Sequence, residues 1–334
     1  RKMEPVVSIC CTTYNHEKYI ADALDSFLMQ KTSFPIEILI HDDASTDNTA
    51  SIIEKYEKKY PKIIKPIYQV ENQYSKGKKP LRDFIIPLVR GKFIATCEGD
   101  DFWIDNKKLQ KQVEFLESNQ DYIMCFHKVK VVDTNKNPLG RYIGLSNEGS
   151  KEISVKDAAT GGVVHVSSRL IKSDFYKKPI PKWIDNAKHG DYAFALYITA
   201  EGKVFYIDEI MSAYRKGVEN SMMTNFRENY SKENDIKYHL NRIETLNMAD
   251  GYYNYKYHDD IKKDVRAGYA KVATNSSSCC CGASCCGSVD VNKIAEKIGY
   301  SADEMASVPE GANLGLGCGN PLAIASLKEG DIVL

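Results

Sequence analysis

Gly91-Lys92-Phe93-Ile94-Ala95-Thr96-Cys97-Glu98-Gly99-Asp100-Asp101-Phe102-Trp103 is the stretch on which the reading of this chain turns. Phe93–Cys97 is a short apolar, partly β-branched run, the pattern of a strand buried on both faces. It ends in a turn that carries Glu98, Asp100 and Asp101. Adjacent carboxylates on a tight turn, with Gly99 giving backbone freedom, suit a hard divalent cation such as magnesium or manganese. Such a cation keeps positions open for phosphate oxygens and neutralises a diphosphate as it leaves. This stretch alone therefore predicts a phosphate-bearing substrate.

Two upstream segments repeat the arrangement. Val6–Cys11 and Ile36–His41 read as buried strands, and each runs into a polar cluster. The clusters are Thr12-Thr13-Tyr14-Asn15-His16-Glu17 and Asp42-Asp43-Ala44-Ser45-Thr46-Asp47. Between them Glu17–Lys31 is helical, with Ile20, Ala23, Leu24, Phe27 and Leu28 on one face. Asp47 or Asn48 caps a second helix presenting Ile52, Ile53, Tyr56 and Tyr60. Ile63–Gln69 is a further strand, and Lys107–Ser118 a further helix. This alternation predicts an α/β protein with a mostly parallel sheet flanked by helices. Ligands of such sheets bind beyond the carboxyl ends of the strands. One acidic cluster reads as a helix cap or a solvated turn; three at one sheet edge read as a site.

Farther on, Tyr122–Val132 is a longer strand and Asn135–Lys151 a loop. Asp191–Ala200 is a helix that Gly202 ends, Lys203–Ile207 a strand, and Glu233–Asn247 an amphipathic helix. The chain has 334 residues, with 45 basic and 45 acidic. Zero net charge gives no electrostatic case for a nucleic-acid partner. No run of about 18 apolar residues predicts a membrane span. The chain begins at Arg1, as a fragment would. Arg1-Lys2-Met3-Glu4-Pro5 leads straight into a strand without a signal-peptide stretch, so a cytoplasmic location is expected, with peripheral contact at the inner face of the membrane allowed.

Cys10, Cys11, Cys97 and Cys125 sit in apolar surroundings and read as small buried thiols. Cys279, Cys280, Cys281, Cys285, Cys286 and Cys318 crowd the last part of the chain, where Tyr269 and Tyr300 are the only aromatics beyond residue 260. The two shifts together place a boundary near residue 260. Cys279–Ser288 is low-complexity and packs no core. The expected organisation is residues 1–258 as the principal domain, 259–288 as a helix and Cys-rich linker, and 289–334 as a short, partly disordered C-terminal appendage.

Val7–Asn15, Ile40–Thr49 and Gly91–Trp103, in that order and spacing, resemble the family 2 glycosyltransferases with the GT-A fold, over roughly residues 5–225. The resemblance implies that Thr12 and Tyr14 line the base and ribose pocket, with Glu17 on the same donor side. Simple packing is the other reading of Tyr14. It implies that Asp43 bonds the donor base while Asp42 serves the fold. Asp100 would contact ribose or sugar, and Asp101 would ligate Mn2+ or Mg2+ through the diphosphate. His189-Gly190-Asp191-Tyr192 falls where the family carries its catalytic base. Asp191 is that expected base, with helix capping as the other reading and Asp185 in reserve. Tyr214-Arg215 matches a family Tyr-Arg, and Arg215 or Lys216 would meet the diphosphate or else lie at a surface. No Gln-x-x-Arg-Trp motif of the processive synthases is present.

From about Ile261 a second resemblance begins. Asp264–Ala273 and Val308–Pro321 look like the opening part of arsenite methyltransferases, with Cys318 at a position that binds trivalent arsenic. The Gly-rich loop for S-adenosylmethionine would follow Asp331–Leu334, so that cofactor is not expected, nor is methyl transfer. The implied function is an inverting, metal-dependent, hexosyltransferase-type enzyme. It would move a sugar from a nucleotide-diphosphate sugar to a glycan or lipid-linked hydroxyl acceptor, in surface polysaccharide or glycan synthesis. The alternative is a metalloid-binding Cys-rich module.

Overall fold

A computed structural model of the chain describes residues 4–145, 149–219, 221, 224 and 231–276. The Cys279–Cys286 cluster, Cys318 and the expected 289–334 appendage lie outside the described residues.

Ten strands of the described residues form one sheet. β1 (Val7–Thr13), β2 (Ile36–Asp42), β3 (Ile64–Tyr68) and β4 (Phe93–Glu98) form its parallel half, in the order β3-β2-β1-β4. The short β9 (Leu170–Lys172) runs antiparallel to β4 and to β6 (Tyr122–Val132). β6 then pairs in parallel with the long β10 (Lys203–Arg215), and β5 (Phe102–Trp103) closes that edge. β7 (Pro138–Ile143) pairs with β6 and β8 (Lys151–Ile153) with β10. The mostly parallel α/β architecture is as the sequence predicts.

Period-two alternation sends the strands' apolar residues to two cores. Val7, Ile9, Cys11, Ile38, Ile40 and Phe93 pack under α1 (Ile20–Leu28), α2 (Thr49–Lys59) and α3 (Lys108–Ser118). Cys10, Leu39, Ile94, Phe126 and Tyr206 face α4 (Val155–Ala159), α5 (Ser173–Tyr176), α6 (Lys182–Asn186) and α7 (Gly190–Glu201). Two longer helices, α8 (Lys232–Tyr252) and α9 (His258–Ser276), lie on that second face. α9, which the sequence reading assigns to the linker, buries Ile261 there, and a Cβ on its Gly268 would come 2.9 Å from Ile243.

Two elements depart from the expectation. Pro138–Ile143 is a strand rather than part of a loop; its residues are nearly all exposed, so no burial period marks it. The strand expected at Lys203–Ile207 runs on to Arg215, with register shifts against β6 near Ile207, Ile210 and Ser212. Among the described residues no helix is long and apolar enough to cross a membrane. Cys10, Cys11, Cys97 and Cys125 are free and buried, as expected.

Candidate active site

The three strand ends are laced together by backbone hydrogen bonds. Gly99 N–H donates to Thr12 O at 2.9 Å, and Asp43 N–H to Thr13 O at 3.0 Å. Gly99 is required here by space: a Cβ would come within 2.6 Å of Thr13 Oγ1 and 3.0 Å of His16 Nδ1. The backbone freedom expected of it is not what the turn uses.

Several residues of the first two clusters are committed to shaping loops. Asp42 accepts from Ser45 N–H and Oγ–H, the turn role expected of it. Asp47 precedes Asn48, the cap residue of α2, which makes no side-chain cap bond; Asp47 accepts instead from Thr49 N–H at 2.9 Å and from Glu17 N–H. Glu17 in turn accepts from Asn48 N–H and Nδ2–H at 2.9 and 2.8 Å. Asp43, expected at the donor base, is buried and accepts from Gln73 N–H at 2.8 Å and Tyr74 N–H at 3.0 Å. Thr12 is half-buried, and Tyr14 is 43% exposed rather than packed.

The third cluster is the acidic centre. One carboxylate oxygen each from Glu98, Asp100 and Asp101 fall within 4.8 Å of one another. Asp101 is 1% exposed; its Oδ1 accepts from Arg215 N–H at 2.8 Å, and its Oδ2 has no hydrogen-bond partner among the described residues. Burial, then the Asp100 and Glu98 charges, push the Asp101 carboxyl well above the usual range, with Arg215 opposing. Burial and the charges of Asp100 and Asp191 push Glu98 up likewise, with Arg169 opposing. A buried carboxylate oxygen without a hydrogen bond is costly. Asp101 Oδ2 is that oxygen; with Asp100 and the exposed Glu98 it forms three close, mutually repelling carboxylates, a donor set that a divalent cation relieves, so the residues fit Mg2+ or Mn2+.

Arg215 supports this cluster from below. It is buried, with Nη1–H donating to Asp100 O at 2.5 Å and Nη2–H to Asp22 Oδ2 at 2.7 Å. Its guanidinium lies over the rings of Tyr19 and Phe102. The Tyr-Arg motif expected at the diphosphate thus places its arginine as a brace for Asp100 and Asp101.

Asp191 occupies the second residue of α7, while His189 is the cap residue and offers no side-chain cap bond. Its side chain is 69% exposed and accepts from Arg169 Nη2–H at 2.7 Å. Against desolvation, which would raise it, the Arg169 charge and hydrogen bond, with His165, hold the Asp191 carboxyl below the usual carboxylate range. Asp185, the reserve, pairs with Arg82.

Sequence reasoning missed His165 and Arg169. His165 Nε2 lies 3.9 Å from Asp101 Oδ2, and burial lowers its pKa to about 4, opposed by Asp191 and assisted by Arg169. His16 Nε2 lies 3.9 Å from Asp100 Oδ2. The signal for Arg169 is a lone cation leading into the apolar pair Leu170-Ile171, which must find a partner when buried. His165 offers no comparable signal.

A carboxylate centre beyond parallel strand ends, with a second carboxylate at a helix start beside it, defines a transferase site of the GT-A type. Glycosyl transferase family 2 matches residues 8–178, and the chain belongs to that family. An uncharacterized protein of Mycobacterium tuberculosis (strain H37Rv) is 32% identical over 224 residues, 66% of this chain; the chain spans 62% of that relative's length. The UDP-Glc:alpha-D-GlcNAc-diphosphoundecaprenol beta-1,3-glucosyltransferase WfaP of Escherichia coli is 36% identical over 115 residues, 34% of this chain and 43% of that protein. The arsenite methyltransferase of Halobacterium salinarum is 39% identical over 84 residues, 23% of this chain and 22% of that protein. In structure, Staphylococcus aureus TarS 1–349 in complex with UDP-GlcNAc gives a TM-score of 0.53 at 18% identity, covering 81% of this chain and 83% of that one. Mannosyltransferase PcManGT from Pyrobaculum calidifontis, in complex with GDP-Man and Mn2+, gives 0.52 at 14%, covering 84% and 77%. The fold is GT-A.

Proposed function

We propose that this chain is an inverting glycosyltransferase that moves a hexosyl group from a nucleotide-diphosphate sugar to a hydroxyl acceptor, with a divalent cation, in surface polysaccharide or glycan synthesis. The observation that carries this reading is the buried Asp101 Oδ2, without a hydrogen-bond partner among the described residues, within the Glu98–Asp100–Asp101 cluster. Glu98, Asp100 and Asp101 would hold Mn2+ or Mg2+, which supplies charge neutralisation for the departing diphosphate. Thr12 and Tyr14 would line the nucleoside pocket. Gln73 and Tyr74 N–H hold the Asp43 carboxylate in place, and each of its oxygens keeps a second lone pair with which to meet the base.

Asp191, ionised and anchored by Arg169, takes the proton of the acceptor hydroxyl. That oxygen bonds to the anomeric carbon as the bond from carbon to phosphate oxygen breaks. The nucleoside diphosphate departs, and a single displacement inverts configuration. The donors and the lipid-linked acceptor named for WfaP, TarS and PcManGT support a sugar nucleotide and a glycan or lipid-linked acceptor here. A cytoplasmic site at the inner face of a membrane suits such an acceptor.

The test is nucleoside diphosphate release by the full chain from UDP-, TDP- and GDP-sugars with Mn2+, beside Asp101→Ala. Release from one donor, lost in the variant, supports the proposal. No release, with no cation-dependent nucleotide binding, overturns it. The arsenite methyltransferase similarity favours a second reading, thiol-dependent binding of trivalent arsenic at the C-terminal cysteines, which Cys318→Ser would abolish while leaving donor turnover intact.

A further inference from the structure

His165 stands on a turn held with unusual completeness. Four successive carbonyls, residues 165–168, each accept a side-chain hydrogen bond. His165 O accepts from Ser168 Oγ–H at 2.6 Å and Val166 O from Thr96 Oγ1–H at 2.6 Å. Ser167 O accepts from Trp103 Nε1–H at 3.0 Å and Ser168 O from Gln112 Nε2–H at 2.9 Å. The Ser167 and Ser212 hydroxyls bond at 2.9 Å. The donors come from β4, β5, α3 and β10 as well as the turn itself, so the backbone beneath His165 is fixed from four directions. Rigid support of this kind is what positions a group at a site.

The same turn fixes the imidazole's tautomer. Ser167 backbone N–H donates to His165 Nδ1 at 3.2 Å, and the Ser167 hydroxyl lies 2.9 Å from the same nitrogen. A backbone N–H only donates, so Nδ1 carries a lone pair and the neutral ring carries its proton on Nε2. Nε2 lies 3.9 Å from Asp101 Oδ2, and the Tyr214 ring packs 4.9 Å from the imidazole. A cation ligand needs a lone pair on Nε2, which this tautomer lacks.

We infer that His165 is a hydrogen-bond donor, through Nε2–H, to an oxygen of the sugar nucleotide seated against Asp101, and is not a ligand of the cation. The inference rests on the proposed function. The oxygen belongs to the diphosphate or to a hydroxyl of the transferred sugar, and binding separates the two.

The experiment is calorimetry on the full chain: Mn2+ alone, then UDP and UDP-hexose (or the GDP pair) in Mn2+, for wild type, His165→Asn, His165→Gln and Asp101→Asn. Asn keeps an acceptor for Ser167 N–H while withdrawing the donor, and Gln keeps the donor's reach. His165→Asn should leave Mn2+ affinity unchanged and weaken the sugar nucleotide, about 10- to 100-fold for a charged diphosphate oxygen and about 2- to 10-fold for a neutral sugar hydroxyl. His165→Gln should restore part of the loss. Equal loss for the bare diphosphate assigns the oxygen to the diphosphate; a loss confined to the sugar nucleotide assigns it to the sugar. A fall in Mn2+ affinity matching Asp101→Asn, or no change in either affinity, overturns the inference. Histidine nitrogen NMR gives an independent reading. The resonance lost in His165→Asn should be an Nε2–H tautomer, and an Nδ1–H tautomer refutes the inference even if wild type binds donor. Wild type that binds no sugar nucleotide overturns the glycosyltransferase reading itself.

Discussion

Arg215→Met separates a structural brace from a substrate contact. Met keeps the length and packing of the side chain between Tyr19 and Phe102 but removes the guanidinium. Two charge-assisted hydrogen bonds disappear, to Asp100 O at 2.5 Å and Asp22 Oδ2 at 2.7 Å. Bonds to charged groups contribute about 1.5–3 kcal/mol each. Asp22 is 29% exposed and regains water once unpaired, which offsets part of the loss. The backbone N–H of residue 215 still reaches Asp101 Oδ1. The expected destabilisation is about 3 kcal/mol, the lower end for removing one partner of a buried pair. Arg215→Lys, which has one ammonium for two acceptors, should cost about half of that. Urea unfolding reads this as a lower midpoint at unchanged slope. Should Arg215→Met unfold at the wild-type midpoint while its KM for the donor rises tenfold, the guanidinium contacts the diphosphate and the brace is wrong.

Arg169→Met removes the cation that lowers the Asp191 carboxyl, so the base protonates at higher pH; the acid limb of the turnover profile should move to higher pH, and a stationary limb would mean that Asp191 is not the base. Glu98 has a raised carboxyl, so the folded state favours its proton, and stability from this group falls as pH climbs from about 4.3, the unfolded value, to about 8. The thermal advantage of Glu98→Gln over wild type in chelator should therefore widen across that window and close on adding Mn2+, whereas a constant difference sinks the cation reading. Ala44 holds a left-handed backbone at φ 61°. That conformation costs an L-residue roughly 1–2 kcal/mol, and glycine's extra unfolded freedom returns about 0.4–1. Ala44→Gly should therefore stabilise by about 0.5–1 kcal/mol in urea unfolding; a loss would show that the methyl group packs.

The strand-end clusters were legible because their signals are local. Each parallel strand is a continuous apolar run, and each hands over to polar residues within one turn, so Thr12, Asp43, Asp100 and Asp101 could be found by position along the chain. Their partners were not legible in the same way. Asp43 bonds the backbone at Gln73 and Tyr74, and Arg215 reaches Asp22 almost the whole length of the domain away. A sequence shows that Asp43 and Arg215 are polar and well placed, but not which other parts of the protein bond to them. Pro138–Ile143 and Leu170–Lys172 escaped for a different reason. The first is exposed in all but its last residue and the second is three residues long, so neither carries a period to read.

The antiparallel β9 explains why His165 and Arg169 resisted the sequence most. Leu170 pairs with both Ala95 and Cys125, so this one short strand joins the two halves of the sheet. The residues leading into it, His165 through Arg169, are thereby brought to the carboxyl end of β4, next to Glu98–Asp101. Arg169 then reaches α7 and anchors Asp191. A strand reversed in this place delivers its entering loop to the edge where its parallel neighbours end. The placement of His165 and Arg169 beside the carboxylate centre is therefore set by the β9 reversal and by the bonds that pin residues 165–168, and not by a local sequence motif.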